Sequence, residues 1–450
     1  MTGPGGNSMV DAAERSVRTP VLVGELIDSL PLTGLQVRII VLCALVLLLD
    51  GYDIQVMALA VPSISELWGR APASFGWALS AALMGMGVGA GIVAPFGDRF
   101  GRRPLMVAGL LLAAASTLGT ALSTSLSDFV VWRFATGVGI AASLANATTL
   151  TSEYMPARRR IWLTCVMYCN VALGAFLAGF LAPALLRLGD WRGLFVFGGA
   201  ATLAIAAVVF AAVPESLKFL IARRPGHPRI GRIVRRLAAG VEAAALELEP
   251  ESAQKRTLAD LLGAAYRGRT LMLWTLYVLN VFVIYMLTSW LPTLLRASHW
   301  PRDEALVGSV LFQLGGVGGS IALSLLVDTG RVRAALMLGF GICAAALAGL
   351  VVTPSSFATW APLLLAVGVG VSGAQCIIVA LAAAFYPLSI RATGVGWAVT
   401  MGRLGAVAAP LIGGVIIARL APVESIGVLI LPALLCVLGA VWVRPAWLRG

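Results

Sequence analysis

Charge is what this sequence has least of: 12% of its 450 residues are Asp, Glu, Lys or Arg, against 59% that are hydrophobic. A soluble domain carries about twice that share of charge, so a soluble enzyme or binding module is excluded. Histidine occurs only twice, at His227 and His299, both outside the apolar runs. No nucleophile–base pair and no metal ligand set can be assembled from so little, so neither an enzyme nor a metal or other cofactor is expected. The six cysteines, at 43, 165, 169, 343, 376 and 436, lie inside apolar runs without the paired spacing of an extracellular disulfide framework. Cys165 and Cys169 are one helical turn apart but lack His or acidic companions, which marks them as small packing residues. Residues 1–30 lack an unbroken apolar core and a small-residue cleavage site, so no cleaved signal peptide is expected.

What fills the chain instead is a series of apolar runs, each long enough to cross a hydrocarbon layer of ~30 Å as a helix. Twelve are expected, roughly at 36–62, 74–96, 104–123, 127–149, 160–186, 192–213, 271–295, 305–327, 332–352, 359–385, 394–418 and 424–443. The fold class is therefore an all-α polytopic membrane protein. The net charge of +12 could suggest a nucleic-acid partner, but its distribution argues otherwise. Of 33 Lys and Arg, the spans leave 25 on one side, six on the other and two inside helices. By the positive-inside rule the rich side is cytoplasmic, with both termini inside, and the bilayer rather than nucleic acid is the partner.

The one long polar stretch, 214–270, divides six spans from six. The expected organisation is a cytoplasmic segment 1–35, a bundle 36–213, a cytoplasmic connection 214–270, a second bundle 271–443 and a tail 444–450. Within the connection, "LADLLGAAYRGR" (258–269) has helical apolar spacing with basic ends and is expected to lie on the membrane surface. The halves resemble each other at an offset of about 230 residues. "DRFGRR" (98–103) pairs with "DTGRVR" (328–333), "GVGI" (137–140) with "GVGV" (368–371), and Tyr154 and Arg159 with Tyr386 and Arg391. Parallel repeats of this kind place a substrate near the bilayer midplane between the halves, which is a transporter architecture.

Charge inside such a chain is informative because it is expensive. "LLLDGYDIQ" (47–55) puts Asp50 and Asp53 on one face of span one. At 1.5 Å per residue Asp50 lies ~18 Å into the bilayer, while Arg133 of span four lies ~9 Å from the far surface, level with Asp53. Arg403 of span eleven falls ~14 Å in, again near mid-depth. Four ionisable groups from three helices thus converge on one layer, either as a structural ion-pair network or as a site that exchanges protons. Gly51, between the acids, allows close helix contact or local unwinding. Small residues at Gly137, Gly139, Ala141 and Ala142 let a neighbour approach span four.

In the turn between spans two and three, "GDRFGRRPLM" (97–106), Asp98 is expected to face the positive amino end of another helix while the arginines grip carboxylates or phosphates. Glu153 is expected to pair with the Arg158–Arg160 cluster. Asp128, just outside span four, has no evident role.

Together D-G-Y-D at 50–53, the loop at 97–103, "RF…G.G" from 133, "EYMPARRR" (153–160), "PESLKFL" (214–220) and "RATGVGW…GR" (391–403) resemble the aromatic acid:proton symporter family of the major facilitator superfamily. The resemblance covers most of the chain. It implies proton-driven uptake of benzoate-type acids, such as hydroxybenzoates and protocatechuate, across a bacterial inner membrane by a monomer. It assigns Asp50 and Asp53 to proton coupling, makes Arg133, Arg391 and Arg403 required positions, and places Asp98 in a gate. Arg99, Gly101, Arg102, Arg103, Glu153, Arg159 and Asp328 are the accompanying gate candidates. The second-half loop "VDTGRVR" (327–333) departs from the full Gly-and-Arg pattern.

An aromatic carboxylate needs a cation for its head and flat apolar walls for its ring. Arg403 or Arg133 can supply the first, and Tyr52, Tyr285, Trp290 and Trp397 are candidates for the second. Asn170, Asn280 and Gln313 could bind ring hydroxyls or equally join helices. A sugar porter should carry Gln pairs in span seven, which reads "LWTLYVLNVFVIYML" (273–287), and a drug antiporter a G-P-x-x-G-G run in span five, which reads "GAFLAGFLAPAL" (174–185). A non-transporting sensor on the same scaffold would leave no mark in the sequence.

Overall fold

The computed structural model describes residues 21–237, 246–247, 258–264, 266–328, 331–386 and 388–443. Local chemistry sets the ends of the first spanning helix, α1 (Gly34–Trp68). The Thr33 amide donates to Gln36 Oε1 at 2.8 Å, and the Gln36 amide donates to Thr33 Oγ1 at 3.4 Å, a reciprocal capping box. At the other end Gly69 takes φ 59°, ψ 31°, a left-handed turn that glycine adopts without strain. α1 therefore outruns the 36–62 expected from hydropathy, because caps rather than the apolar run decide where a helix stops.

α2 (Pro72–Phe100), α3 (Arg102–Ala121) and α4 (Leu126–Tyr154) follow. α2 loosens into a π turn at Gly89–Val93 and tightens again at Ala94–Phe96, where Pro95 lacks the amide that an α ladder needs. Ser125 Oγ accepts from the Asp128 amide at 3.2 Å, and Asp128 is the acid of the first turn of α4, where the helix dipole favours it. The helical run Ala157–Ala212 is broken at Gly189 and at Asp190, which has φ 55°, ψ −160°. It is thus two antiparallel spans, α5 (157–188) and α6 (191–212). The second half comprises α7 (Arg267–Ala297), α8 (Arg302–Asp328), α9 (Val332–Val352), α10 (Phe357–Phe385), α11 (Leu388–Arg419) and α12 (Pro422–Val441). Twelve spans result, in two bundles of six.

The connection differs from its expected form. Of the stretch 258–269, expected as one surface helix, Leu258–Leu262 and the start of α7 from Arg267 are helical, and Thr270 Oγ1 donates to Leu261 O at 3.0 Å, tying the two together. The amphipathic helix is instead Pro228–Leu237, which buries Ile230, Ile233, Val234 and Leu237 against the end of the first bundle. Its ten residues are too few and too Arg-rich to register as an apolar run. A two-residue parallel pairing joins Val21–Leu22 to Leu246–Glu247.

The repeat is visible in contacts as well as letters. A Cβ on Gly137 would sit 1.9 Å from Ala82 O of α2, and one on Gly368 would sit 2.1 Å from Phe312 O of α8. A Cβ on Gly139 would likewise sit 2.6 Å from Gly109 O of α3, and one on Gly370 2.5 Å from Gly339 O of α9. Ser356 Oγ accepts from the Thr359 amide at 3.4 Å, matching the Ser125 cap 231 positions earlier.

Three apolar clusters show how the bundles meet. One is shared, joining Val56, Ile64 and Phe75 of the first bundle to Met286, Leu294 and Phe312 of the second. The second draws only on the first bundle and its connecting segments, and the third on the second bundle together with Leu83 of α2. The shared cluster uses the late half of α1 and of α7. The bundles are therefore packed together at the face opposite the connection and keep separate cores toward the connection.

Candidate functional site

α1 places its two acids in different circumstances. Asp53 receives both Nη1 and Nη2 of Arg133, from α4, at 2.7 Å each. Arg133 is 1% exposed, and its guanidinium lies 5.9 Å from the Phe195 ring centroid on α6. This two-pronged, buried pairing uses the planar fork that Arg alone offers. Asp50, one turn earlier, is buried too, but its Oδ1 has no hydrogen-bond partner. It feels the charges of Asp53 and of Arg403. Tyr285, on α7, lies within electrostatic reach of both Asp50 and Arg403.

Arg403 reaches across from α11 and donates to Met86 O of α2 at 3.2 Å. Among the described residues it makes no ion pair. The four charges thus occupy one neighbourhood, with Asp53 and Arg133 locked together and Asp50 within electrostatic reach of Arg403. Gly51 is the contact that permits this: a Cβ there would lie 1.8 Å from Val171 O, and one on Gly174 would lie 1.9 Å from Leu48 O. α1 stays helical through 50–53, so of the two roles open to Gly51 the structure uses close approach to α5, not unwinding.

Beside the acids, inside the first bundle, lies a cavity of about 20 Å³ lined by Tyr52, Thr117, Ser143 and Thr202 among others. It has room for about one water molecule and none for an aromatic ring.

Several expected ring or hydroxyl contacts are spent on holding helices together. Tyr52 donates its hydroxyl to Leu194 O of α6 at 2.9 Å, with Phe197 5.7 Å away. Trp290 is fully buried and donates Nε1 to Pro410 O at 3.2 Å, so it joins α7 to α11 and walls no cavity. Asn280 donates to Val371 O at 3.2 Å and Gln375 Oε1 at 2.8 Å, joining α7 to α10. Asn170 donates back to Val166 O of its own helix at 2.9 Å. For Asn280 the helix-joining alternative is the one seen, and for Tyr52 and Trp290 the reason is the same: a polar atom inside a bundle takes the nearest acceptor, and azimuth around a helix decides which that is. Trp397 remains half-buried beside Trp274, with ring centroids 6.3 Å apart. Gln313 donates to Gln55 Oε1 at 2.9 Å and so links α8 to α1 across the bundles. Gln55 was not singled out from the sequence, although an amide in an apolar helix two residues past Asp53 was a signal.

The gate candidates are also rearranged. Asp98 is exposed and paired with Arg102, one turn on, and does not face the amino end of another helix. Glu215 does: its Oε1 accepts from the amides of Arg102 at 2.9 Å, Arg103 at 3.2 Å and Ser216 at 2.8 Å. Gly101, at φ 109°, leaves room for it, since a Cβ there would lie 2.3 Å from Glu215 Oε2. Glu153 approaches Arg102 at 3.7 Å instead of the Arg158–Arg160 cluster, whose described member, Arg158, reaches Leu30 O at 3.4 Å. Arg99 lies over the Phe100 ring and Arg103 over Phe210. Tyr154 donates to Glu215 O at 2.8 Å, tying α4 to the same carboxylate's residue. The side chains of Arg159, Asp328 and Arg391 lie outside those described. At the opposite face Glu66 and Arg296 pair at 3.5 Å, and Arg302 donates to Ser63 at 3.0 Å, bridging the bundles through residues that no motif marks.

Comparison with known proteins places this geometry. The family model of the Major Facilitator Superfamily matches residues 43–410 and 273–449. The 4-hydroxybenzoate transporter PcaK of Pseudomonas aeruginosa is 36% identical over 396 residues, covering 87% of this chain and 88% of that protein. The gallate transporter of Pseudomonas putida is 33% identical over 413 residues, covering 89% and 90%. Among solved structures, the xylose transporter XylE from E. coli in its inward open conformation superposes with a TM-score of 0.71 at 18% identity, covering 90% of this chain and 95% of that one.

Proposed function

We propose that this chain, which belongs to the Major Facilitator Superfamily and there to the aromatic-acid transporters, carries an aromatic carboxylate inward together with a proton. It is a transporter and not an enzyme. The substrate class is inferred from relatives named for 4-hydroxybenzoate and gallate. The observation that carries the mechanism is Asp50: a buried carboxylate, its Oδ1 unpartnered, held between the locked Asp53–Arg133 pair and an Arg403 that makes no ion pair among the described residues.

An unpartnered carboxylate in a membrane interior can be satisfied by a proton or by a cation. Arg403 can likewise turn to Asp50 or to the carboxylate of a bound acid. The two choices exclude each other electrostatically. When the substrate takes Arg403, Asp50 keeps its proton; when the substrate leaves, Arg403 is available to the ionised Asp50. The ring then belongs between the bundles, against Tyr285 and toward Trp397 and Gln313, because the cavity inside the first bundle holds no more than a water. Asp53 and Arg133 fix the position of α1 for this exchange.

The two bundles, taken as 36–213 and 271–443 and joined by 214–270, are the rocking units. We take the connection side as cytoplasmic from its excess of Lys and Arg, in an inner membrane and as a monomer. The packed face is then external, and Glu66–Arg296 with Ser63–Arg302 are the contacts that outward opening must break.

Uptake of labelled 4-hydroxybenzoate into proteoliposomes, with and without an imposed pH gradient, tests this. Accumulation should follow the gradient and collapse with a protonophore. The Asp50→Asn protein should lose accumulation while still exchanging substrate across the membrane. Accumulation that ignores the protonophore would remove the proton from the mechanism.

A further inference from the structure

At the connection face, away from the mid-depth charges, the end of α6 at 211–213 and the side chains of Arg103, Glu215, Arg229, Arg232 and Arg236 enclose a concavity of about 260 Å³. Four guanidinium groups line it against a single carboxylate. That carboxylate is already committed, since Glu215 Oε1 accepts three backbone amides. Among the described residues Arg229, Arg232 and Arg236 make no ion pair, and the Nε of Arg103 is buried without a partner.

The amphipathic helix Pro228–Leu237 explains the arrangement. Its apolar face is held down by Ile230, Ile233, Val234 and Leu237, which leaves the arginines along the rim of the hollow. The other wall is the end of α6. There Arg103 donates Nη2 to Phe210 O and lies 5.0 Å from the Phe210 ring, and Phe210 and Val208 are 62% and 48% exposed on a membrane-spanning helix. The concavity thus opens where lipid-facing side chains give way to arginines, the depth at which headgroup phosphates lie.

We propose that this pocket binds the phosphodiester of an anionic phospholipid, its glycerol over Ala211–Val213 and its acyl chains along Phe210 and Val208. Guanidinium groups match phosphate oxygens in pairs, and a basic rim near a membrane surface gains affinity with each added arginine. A free phosphate shares the headgroup chemistry but would leave the exposed Phe210 and Val208 uncovered. The site goes beyond the transport reading and does not depend on which face is cytoplasmic.

Native mass spectrometry of the purified full-length protein, titrated with phosphatidylglycerol or phosphatidylcholine, reads this out. The wild type should retain phosphatidylglycerol preferentially, and excess inorganic phosphate should not displace it. The variant Arg229→Gln/Arg232→Gln/Arg236→Gln should bind phosphatidylglycerol at least about tenfold more weakly. A control with the same loss of charge outside the pocket, Arg223→Gln/Arg224→Gln/Arg235→Gln, should keep wild-type retention. If the triple variant does not fold, Arg232→Gln alone should lose about fivefold. Equal losses in pocket and control variants, equal retention of the two lipids, or full displacement by inorganic phosphate would each overturn the proposal.

Discussion

Substituting Arg133→Gln and Asp53→Asn, singly and together, asks whether the deepest ion pair behaves as one unit. Both Nη–O distances are 2.7 Å, Arg133 is 1% exposed, and the cavity beside Asp53 has room for about one water, so neither charge can be solvated in place of its partner. Removing one partner strands the other, which costs about 3–5 kcal/mol in buried pairs. The double variant leaves two neutral amides that can still bond to each other, so its loss should be nearer ~1–3 kcal/mol. The cycle should therefore show a favourable coupling of at least ~2 kcal/mol, where independent sites add to within about 0.5 kcal/mol. The measurement is denaturant unfolding of the four proteins in one detergent, followed by tryptophan fluorescence. Trp191, one of twelve tryptophans, contributes to that signal from this region, since it packs 5.9 Å from Phe195, the ring beneath Arg133. Additive losses would refute the reasoning, because they would mean that each charge finds its compensation elsewhere.

Four other outcomes follow from the same geometry. Arg403→Lys should reduce uptake of the aromatic acid by roughly tenfold or more in initial-rate assays, because the planar fork that grips a carboxylate is lost while the charge remains. Glu215→Ala should lower stability by about 1–2 kcal/mol in thermal unfolding, since the amides of Arg102, Arg103 and Ser216 lose their shared acceptor. Gly51→Ala should destabilise by ~1–3 kcal/mol, or abolish folded yield after detergent extraction, because its Cβ would lie 1.8 Å from Val171 O. Gln313→Ala removes one inter-bundle bond worth ~0.5–1.5 kcal/mol. It should raise labelling of a cysteine placed at Ser63 by up to about tenfold as the packed face opens more often.

Much of the fold could be read from residues because hydrocarbon imposes one rule on every span. Apolar run length gave twelve helices, and the paired Gly-Val-Gly elements gave two like bundles. Both follow from local composition, since each spanning helix must satisfy its own backbone. The connection escaped this reading: Pro228–Leu237 owes its order to burial of four side chains on the bundle end, a tertiary gain that no local propensity announces.

The site divides along the same line. Depth accumulates at a constant rise along one helix, so the sequence by itself determined that Asp50, Asp53, Arg133 and Arg403 share a layer. Which carboxylate meets which guanidinium depends on the rotation and approach of neighbouring helices, set by contacts such as Gly51 on Val171. Only the tertiary structure decided that Asp53 takes Arg133, that Asp50 keeps an unpartnered oxygen, and that Tyr52, Trp290 and Asn280 bind helices to one another. The physical reason is that a buried polar atom bonds to whatever packing brings within about 3 Å, and packing is a property of pairs of helices rather than of either one.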